Sequence, residues 1–509
     1  MVVSKTNQLK YGAILNYVIV FLHIALGLFY TPYMLKMLGK QEFGLYSLVA
    51  SVIAYLTILD FGFANAVVRY TSRLRALNQK REQFEMFGMF ILMYIVLSGI
   101  IVVLGGCLYY NTDLMFSASM TAEEIYKAKI MILLLIANLA FTFPMSVFGG
   151  IITAYEDFVF SRTITILRLI LTTAVMICLL KYGYKAITMV VVNTVFNVLA
   201  LVVNYLYCKF KLEVKVIFAR FKWAIVAEVF VYSFWIFLNL IMDKIYWSTG
   251  QFVIGIYMGT AAVAIYALAI QFQNMYMQFS VAISSVFLPK ITFIVTQSKD
   301  PKEVSDIFIK TGRIQYYVIS LVLAGFIVFG FDFITLWLGK GFEEVYIVSL
   351  IFLVALTTPL IQNLGIVILQ AKNQMKFRSL VYLGVALIGL IAQVIATQKF
   401  GILGCAISVA VCLFLGQGII MNIYYYKVQK INIPVFWWEI IKMSVVPLGL
   451  GLSVLFLRQY IQIDTWLDFF VQTSIFSFMF ILCSFLITMN SYEKSLLLGF
   501  FKRRKSNLI

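Results

Sequence analysis

The chain has 509 residues, of which 62% are hydrophobic and 12% charged, and its mean hydropathy is +0.96. These values exclude an ordinary soluble domain and indicate a multi-pass, all-α integral membrane protein. The net charge of +18 does not indicate nucleic-acid binding. Lys and Arg are spread over short loops between apolar runs, a distribution typical of membrane proteins, with attraction to lipid headgroups as a consequence.

Fourteen apolar runs are long enough, at about 1.5 Å per residue, to cross a hydrocarbon core about 30 Å thick. The seventh run is too long for one straight helix, and Gly250 and Gly255 predict a bend or break in it. The first run is full length, so we expect it to be a retained span and not a signal peptide. The predicted helices are 10–34, 43–68, 84–110, 127–153, 158–180, 184–208, 229–256, 262–288, 306–330, 346–370, 377–397, 401–425, 440–459 and 466–489.

Loop charge predicts the orientation of these helices. With a cytoplasmic N-terminus, most Lys and Arg fall in the inside loops and the C-terminal tail, and the outside loops are short and poor in base. This asymmetry is the positive-inside pattern, and an even number of spans then places both termini in the cytoplasm. The basic inside segments are 69–81, 209–222, 290–302, 372–378 and 502–505, and the outside loops are 111–124, 339–344 and 464–468.

The chain contains an internal repeat. Residues 36–48 (KMLGKQEFGLYSL) align with 256–268 (IYMGTAAVAIYAL), which pairs Gly39 with Gly259. The repeat relates helices 1–6 to helices 7–12 in the same orientation, so we expect two lobes related by an axis along the membrane normal. The other aligned pairs are Tyr46 with Tyr266, Pro144 with Pro359, Gly150 with Gly365 and Arg162 with Arg378.

The predicted organisation is an N-terminal six-helix lobe (1–208), a linker (209–228), a C-terminal six-helix lobe (229–430), and helices 13 and 14 with a basic tail (431–509). The linker alternates basic and apolar residues. This indicates either a helix lying in the cytoplasmic interface, which would tether two rocking lobes, or a solvated basic connection.

Three stretches carry a family resemblance: LGKQEFGLYSL (38–48), LDFGFANAVVRYTS (59–72) and IMDKIYWSTGQFVIGIYMGTAAVAIYALA (241–269). They resemble the polysaccharide biosynthesis branch of the MOP (multidrug/oligosaccharidyl-lipid/polysaccharide) flippase superfamily, and by pattern the Wzx-type O-antigen and capsule flippases. The resemblance covers nearly the whole chain. It implies two six-helix lobes around a central cavity, with extra C-terminal helices in some members.

The resemblance also implies a function. Such a protein would move an undecaprenyl-diphosphate-linked oligosaccharide from the cytoplasmic to the outer leaflet of the bacterial cytoplasmic membrane. Its expected partners are that lipid-linked oligosaccharide, membrane lipids, H⁺ or Na⁺ as a coupling ion, and other polysaccharide assembly proteins. The resemblance specifies neither the glycan nor the energy source.

The residues give little support to catalysis. His23 is the single histidine, which excludes a multi-His zinc site and disfavours a His-based triad. There is no GxxxxGK[ST] loop, no DxD pair and no large outer loop. The six cysteines lie in or beside apolar runs without a CxxC pair, as core residues do. We expect no enzyme, no metal and no cofactor.

Ionisable residues inside spans are the remaining functional signal. Asp243 and Lys244 lie midway along helix 7, with Asn239 on the face of Asp243. They line a cavity or form a neutralising pair that fixes packing. Asp60 in helix 2 and His23 in helix 1 are, with Asp243, candidates for ion coupling. The alternatives are a structural bond to a neighbouring helix for Asp60 and a packing role for His23.

Two arginines are the candidates for binding a diphosphate. Arg168 in helix 5 and Arg313 in helix 9 lie in the cytoplasmic halves of their helices. A guanidinium in a low dielectric needs a partner such as a diphosphate, unless it snorkels to the interface. On helix 8, Gln271, Asn274 and Gln278 form a polar stripe that suits sugar hydroxyls or interhelical hydrogen bonds.

Three competing functions remain open. A lipid II flippase has the same number of helices and a cationic cavity. A MATE-type drug antiporter would favour unpaired carboxylates, whereas here Lys244 follows the acid of helix 7 directly. A membrane-embedded glycan polymerase would need a catalytic outer loop. For the flippase we expect alternating access, in which rocking lobes expose a cationic cavity first inward and then outward.

Overall fold

The computed structural model describes residues 5–218, 223–297, 301–372, 374–458 and 463–496. Every regular element in these ranges is a helix, and no strand occurs in them. Short 3₁₀ or π segments lie at Thr57–Asp60, Phe414–Ile420 and Ser484–Thr488. The α-helices are α1 (Lys5–Leu56), α2 (Phe63–Ala76), α3 (Lys80–Phe116), α4 (Ala122–Ala154), α5 (Phe158–Lys181), α6 (Ala186–Phe210), α7 (Trp223–Trp247), α8 (Thr249–Met258), α9 (Thr260–Gln297), α10 (Pro301–Leu338), α11 (Glu343–Ile361), α12 (Leu364–Ala371), α13 (Met375–Leu413), α14 (Met421–Lys427), α15 (Ile433–Leu457) and α16 (Trp466–Cys483).

Ten of the described helical segments are long and apolar enough to cross a membrane. Two of them contain a glycine with a non-helical backbone that divides the segment: Gly39 in α1 and Gly401 in α13. The pair α7 and α8, and the helix α9, add two more long apolar segments. Counted in this way, the described chain contains fourteen apolar helical segments, and the prediction of an all-α multi-pass membrane protein is confirmed.

The aligned glycines of the internal repeat share one backbone conformation. Gly39 has φ 78° and ψ 169°, and Gly259 has φ 82° and ψ −175°. An L-residue with a Cβ rarely adopts this region, which glycine enters without penalty. Each glycine therefore ends one helix and starts the next at the equivalent point of the repeat.

The break predicted in the seventh apolar run occurs at Ser248, between α7 and α8, but the glycines do not cause it. Gly250 and Gly255 lie inside α8, where they permit close packing. A Cβ on Gly250 would lie 2.2 Å from the hydroxyl oxygen of Tyr266, and one on Gly255 would lie 2.5 Å from a methyl carbon of Leu48. The prediction that these glycines bend the helix was wrong.

Residues 211–218 of the linker are not helical, so the predicted interfacial helix is wrong for them, whereas Lys209 and Phe210 end α6 and residues 223–228 begin α7. The backbone N–H of Ile217 donates to the carbonyl oxygen of Phe84 in α3 at 3.2 Å. Val214 is buried, and Leu212 and Val216 pack against the same core. Alternate side chains of this segment thus face the protein. Residues 219–222 lie outside the described ranges.

By contacts the chain divides into two compact units. The first comprises Met1–Ala267 with Thr397–Gly401, and the second comprises Leu268–Ala396 with Ile402–Ile509. The core of the first unit is formed by buried side chains of helices α1 to α4 and α6. In the second unit, Phe329 of α10 packs against Phe469 and Phe476 of α16. The lobe boundaries at 208 and 229 stay a prediction.

Candidate functional site

Arg168 lies near the middle of α5, ten residues after Phe158, which places it about 15 Å along the helix. Its side chain is exposed, and Nη1 donates a hydrogen bond to Oδ1 of Asn197 in α6 at 2.8 Å. No carboxylate of the described residues pairs with it. A full positive charge therefore stands at the centre of an apolar helix beside a neutral amide.

Two residues of α4 fix the amide that holds Arg168. Asn197 Nδ2 donates to Oδ1 of Asn138 at 2.9 Å and to Oγ1 of Thr142 at 2.8 Å. Thr142 Oγ1 in turn donates to the backbone carbonyl oxygen of Asn138 at 2.7 Å. Because both amide hydrogens are used in this way, the amide oxygen points to Arg168. We call these four residues the Arg168 array.

The array leaves the guanidinium able to bind a ligand. An arginine carries five N–H donors in a planar fork, and the array engages it through Nη1 alone. In hydrocarbon an arginine at a helix centre costs roughly 2.5–3.5 kcal/mol by insertion scales, so such residues face a polar cavity or a partner. An anion with two or more oxygens matches the remaining donors.

The other predicted arginine has protein partners. Arg313 in α10 has a side chain only 7% exposed. Its Nε donates to Glu493 at 2.6 Å, its Nη1 pairs with Glu439 of α15, and its Nη2 donates to the carbonyl oxygen of Thr488 at 3.0 Å. Two carboxylates already compensate its charge, so the geometry does not favour the diphosphate role predicted for Arg313.

Asp60 lies at a break in the second predicted span. The helix ends as the 3₁₀ turn Thr57–Asp60, passes through Phe61 (φ 51°) and Gly62 (φ 73°), and restarts as α2. Tyr94 of α3 donates a hydrogen bond to the Asp60 carboxylate at 2.7 Å. The positive end of the α2 dipole favours a negative charge here. This supports the structural alternative and leaves ion coupling as a proposal.

The remaining predicted site residues lie outside the array. In the first unit, His23 on α1 and Asp243 on α7 are exposed and Lys244 is half-buried. The side chain of Asn239 lies outside the described residues. In the second unit, the predicted polar stripe lies on α9, where Gln271 and Gln278 are half-buried and Asn274 is exposed.

Sequence reasoning missed Asn138, Thr142 and Asn197. The signal for two of them was present, because Asn138 and Thr142 are polar residues four apart on an apolar helix and so share one face. Among the described residues, no group of three or more His, Cys, Asp or Glu side chains is arranged to hold a metal ion.

Solved structures show which known proteins share this fold. The chain matches "Lipid II flippase MurJ, inward closed conformation" with a TM-score of 0.72 over 92% of this chain and 98% of that chain, at 18% identity. It matches an inward-facing multidrug resistance MATE family transporter of the MOP superfamily with a TM-score of 0.65 over 82% and 98%, at 12% identity. The fold is that of multi-pass transporters of the MOP superfamily.

The family follows from the sequence match. The model of the family described as "Polysaccharide biosynthesis protein" matches residues 9–295, and the chain belongs to this family. A relative of matching length is the "Uncharacterized membrane protein EpsK" of Bacillus subtilis (strain 168), which is 23% identical over 501 residues, 95% of this chain and 96% of that protein. The family predicted from the sequence is confirmed.

Proposed function

We propose that the protein is a flippase for an undecaprenyl-diphosphate-linked oligosaccharide. It moves this lipid from the cytoplasmic to the outer leaflet of the bacterial cytoplasmic membrane by alternating access, for the synthesis of a surface polysaccharide such as O-antigen or capsule. Both termini are cytoplasmic in this proposal. Family membership and the transporter fold support the class of function.

One observation supports an anionic substrate. The guanidinium of Arg168 is exposed in mid-span, and among the described residues it has an amide and no carboxylate beside it. A diphosphate supplies the paired oxygens that a guanidinium binds in a bidentate manner. The prenyl chain would remain in lipid while the charged headgroup follows a polar path. Without such a path the headgroup would have to cross bare hydrocarbon, at a high cost in free energy.

The other candidate residues keep supporting roles. Lys244, Asn239 and the stripe on α9 are proposed to contact the headgroup or the glycan. For ion coupling, Asp60, Asp243 and His23 are the proposed groups. Arg313 is left out of the site, because Glu439 and Glu493 already neutralise it.

Lipid II is the second candidate substrate. It carries the same prenyl diphosphate, and the fold match to a lipid II flippase extends over 92% of the chain. A cationic drug is disfavoured, because the described array presents a positive charge and no carboxylate. A glycan polymerase lacks support from any catalytic constellation in the sequence.

The test uses a strain that lacks this protein and any redundant flippase. Undecaprenyl-linked repeat units are measured by leaflet with a membrane-impermeant sugar-modifying reagent. We expect accumulation on the cytoplasmic face, relieved by the wild type but not by Arg168→Ala. Arg162→Ala, at the N-terminal end of the same helix, is the matched control and should restore export.

Each outcome has a distinct meaning. A normal leaflet distribution in the deletion strain contradicts the flippase. Full restoration by Arg168→Ala retains the flippase and rejects the Arg168 array as its diphosphate site. Accumulation of lipid II in place of the repeat unit selects the second candidate.

A further inference from the structure

Residues 255–260 comprise the last turn of α8, Gly259 and the first residue of α9, and we call them the α8–α9 turn. This turn is held against α3 and α4 at the predicted outer end of the first unit. Ser119, in the connection between α3 and α4, donates from Oγ to the carbonyl oxygen of Gly255 at 2.7 Å. Thr260 donates from Oγ1 to Oε1 of Glu124 in α4 at 2.6 Å. All of these residues belong to the first compact unit.

Glycines on both sides of the contact allow this turn to pack closely against the neighbouring backbone. A Cβ added to Gly44 would lie 1.8 Å from the carbonyl oxygen of Thr260, and one added to Gly259 would lie 2.5 Å from the carbonyl oxygen of Ser119. Both clashes are with backbone, which cannot swing away as a flexible side chain can. The two chain segments therefore touch main chain to main chain, and a single methyl group is enough to separate them.

The internal repeat places the two sides of this contact in different halves of the sequence. Gly259 aligns with Gly39 and so lies in the second repeat, between its first two predicted helices. Gly44, Ser119 and Glu124 belong to the first repeat. The contact thus joins equivalent halves of the sequence at the predicted outer ends of their helices.

If the turn is released, the charged groups that line the contact keep other partners. Glu124 is the N3 residue of a capping box, and its Oε2 accepts hydrogen bonds from the backbone N–H and Oγ1 of Thr121, both at 2.9 Å. These bonds lie entirely within the first half and persist when Thr260 leaves. Lys127 likewise stays paired with Glu42 and Glu123, each at 2.6 Å.

A polar cavity beside the turn gives water access to the groups that release would expose. Its volume is about 550 Å³. Ala261 of α9 lines one wall, and Thr121, Glu124 and Lys127 of the α3–α4 connection and α4 line another. Desolvation therefore presents a small barrier to opening at this point.

We propose that residues 255–260 form a releasable latch, seated in the described structure and withdrawn when the transporter opens outward. Opening breaks the Ser119–Gly255 and Thr260–Glu124 hydrogen bonds and separates the glycine contacts. The proposal rests on the proposed transport function, but the state of the latch is measurable without substrate.

The experiment measures access to a cysteine under the latch. Ala264 is fully buried next to Gly44, so Ala264→Cys should react slowly with a membrane-impermeant thiol reagent added outside intact cells. We expect Gly44→Ala to increase the labelling rate severalfold, and Thr260→Val to increase it less. Gly99→Ala is the matched control, because no atom lies within 4 Å of its added Cβ. The chain without Ala264→Cys gives the background from native cysteines.

Unchanged labelling in Gly44→Ala and Thr260→Val, at wild-type expression, would show a permanent joint and overturn the latch. If Gly44→Ala fails to insert, Thr260→Val alone decides, since it preserves the shape of the side chain. Faster labelling together with a normal leaflet distribution in the deletion strain would keep the latch and reject the proposed substrate.

Discussion

Arg168 and Arg313 look alike in the sequence and differ in the structure. Each lies about three turns into a long apolar helix, α5 or α10. Arg168 is exposed and held by a neutral amide, whereas Arg313 is buried between Glu439 and Glu493. Within the described residues, Arg313 is compensated by two carboxylates and Arg168 by none.

The partners of Arg313 come from the last part of the chain. Glu439 lies in α15 and Glu493 follows α16, both beyond the predicted six-helix repeats. Tyr317 adds a hydrogen bond to Glu493 at 3.3 Å. The guanidinium therefore fastens the two additional helices to α10. We interpret Arg313 as a structural clamp and Arg168 as the ligand-binding counterpart.

The largest effect is expected from breaking the clamp. Glu493→Ala leaves a buried arginine with one carboxylate in place of two, and removing one partner of a buried ion pair costs about 3–5 kcal/mol. We expect a marked drop in the Tm of the purified protein in detergent, followed by tryptophan fluorescence. Glu344→Ala, an exposed carboxylate, is the control and should leave Tm unchanged. Equal Tm values for both variants would contradict the clamp.

The opposite pattern is expected for Arg168. Arg168→Ala should retain the Tm of the wild type but lose export, because a charge-assisted hydrogen bond to substrate is worth about 1.5–3 kcal/mol, or roughly ten- to hundredfold in binding. Arg168→Lys keeps the charge without the planar fork, so its export should lie between that of the wild type and that of Arg168→Ala. The leaflet assay measures both variants. A large loss of Tm in Arg168→Ala would instead make this arginine a second structural residue.

Asn197→Asp tests the comparison directly, because it gives Arg168 the kind of partner that Arg313 has. The new carboxylate keeps the acceptor at 2.8 Å from the guanidinium and adds an opposite charge. We expect export to fall about tenfold, since the ion pair competes with the anionic substrate. Tm should fall modestly, because the carboxylate cannot donate the two hydrogen bonds that the amide gives to Asn138 and Thr142. Asn197→Ala removes the bond but leaves the charge, so it should lose less. Better export by Asn197→Asp than by Asn197→Ala would argue against an anionic ligand.

Much of the fold was predictable because membrane spans are local in sequence. Length, apolar composition and loop charge are each read from a single run of residues, and the long helices of the structure follow those runs. The repeat pair Gly39 and Gly259 was visible in the same way. The charge compensation of Arg313 could not be predicted from such a run, because the two carboxylates that pair with it lie 126 and 180 residues away in the sequence.

The linker shows a different failure. Residues 211–216, KLEVKV, alternate strictly between polar and apolar side chains, and a period of two is typical of an extended chain and not of a helix. This alternation was interpreted as an interfacial helix or a solvated connection, but a period of two does not fit a helix. The Arg168 array was predictable in part. The sequence shows that Asn138 and Thr142 share one face of a helix, but their contact with Asn197 depends on how the helices pack.

The smallest effect is expected at Asp60, the carboxylate of the first unit that lies at the break before α2. Tyr94→Phe removes the hydroxyl that donates to the carboxylate at 2.7 Å, a bond worth about 1.5–3 kcal/mol to a charged group before the nearby α2 N-terminus compensates. We expect a Tm loss well below that of Glu493→Ala, with export retained. If Tyr94→Phe abolishes export at nearly unchanged Tm, Asp60 takes part in transport and not only in folding. Ion coupling through this carboxylate then becomes the stronger interpretation.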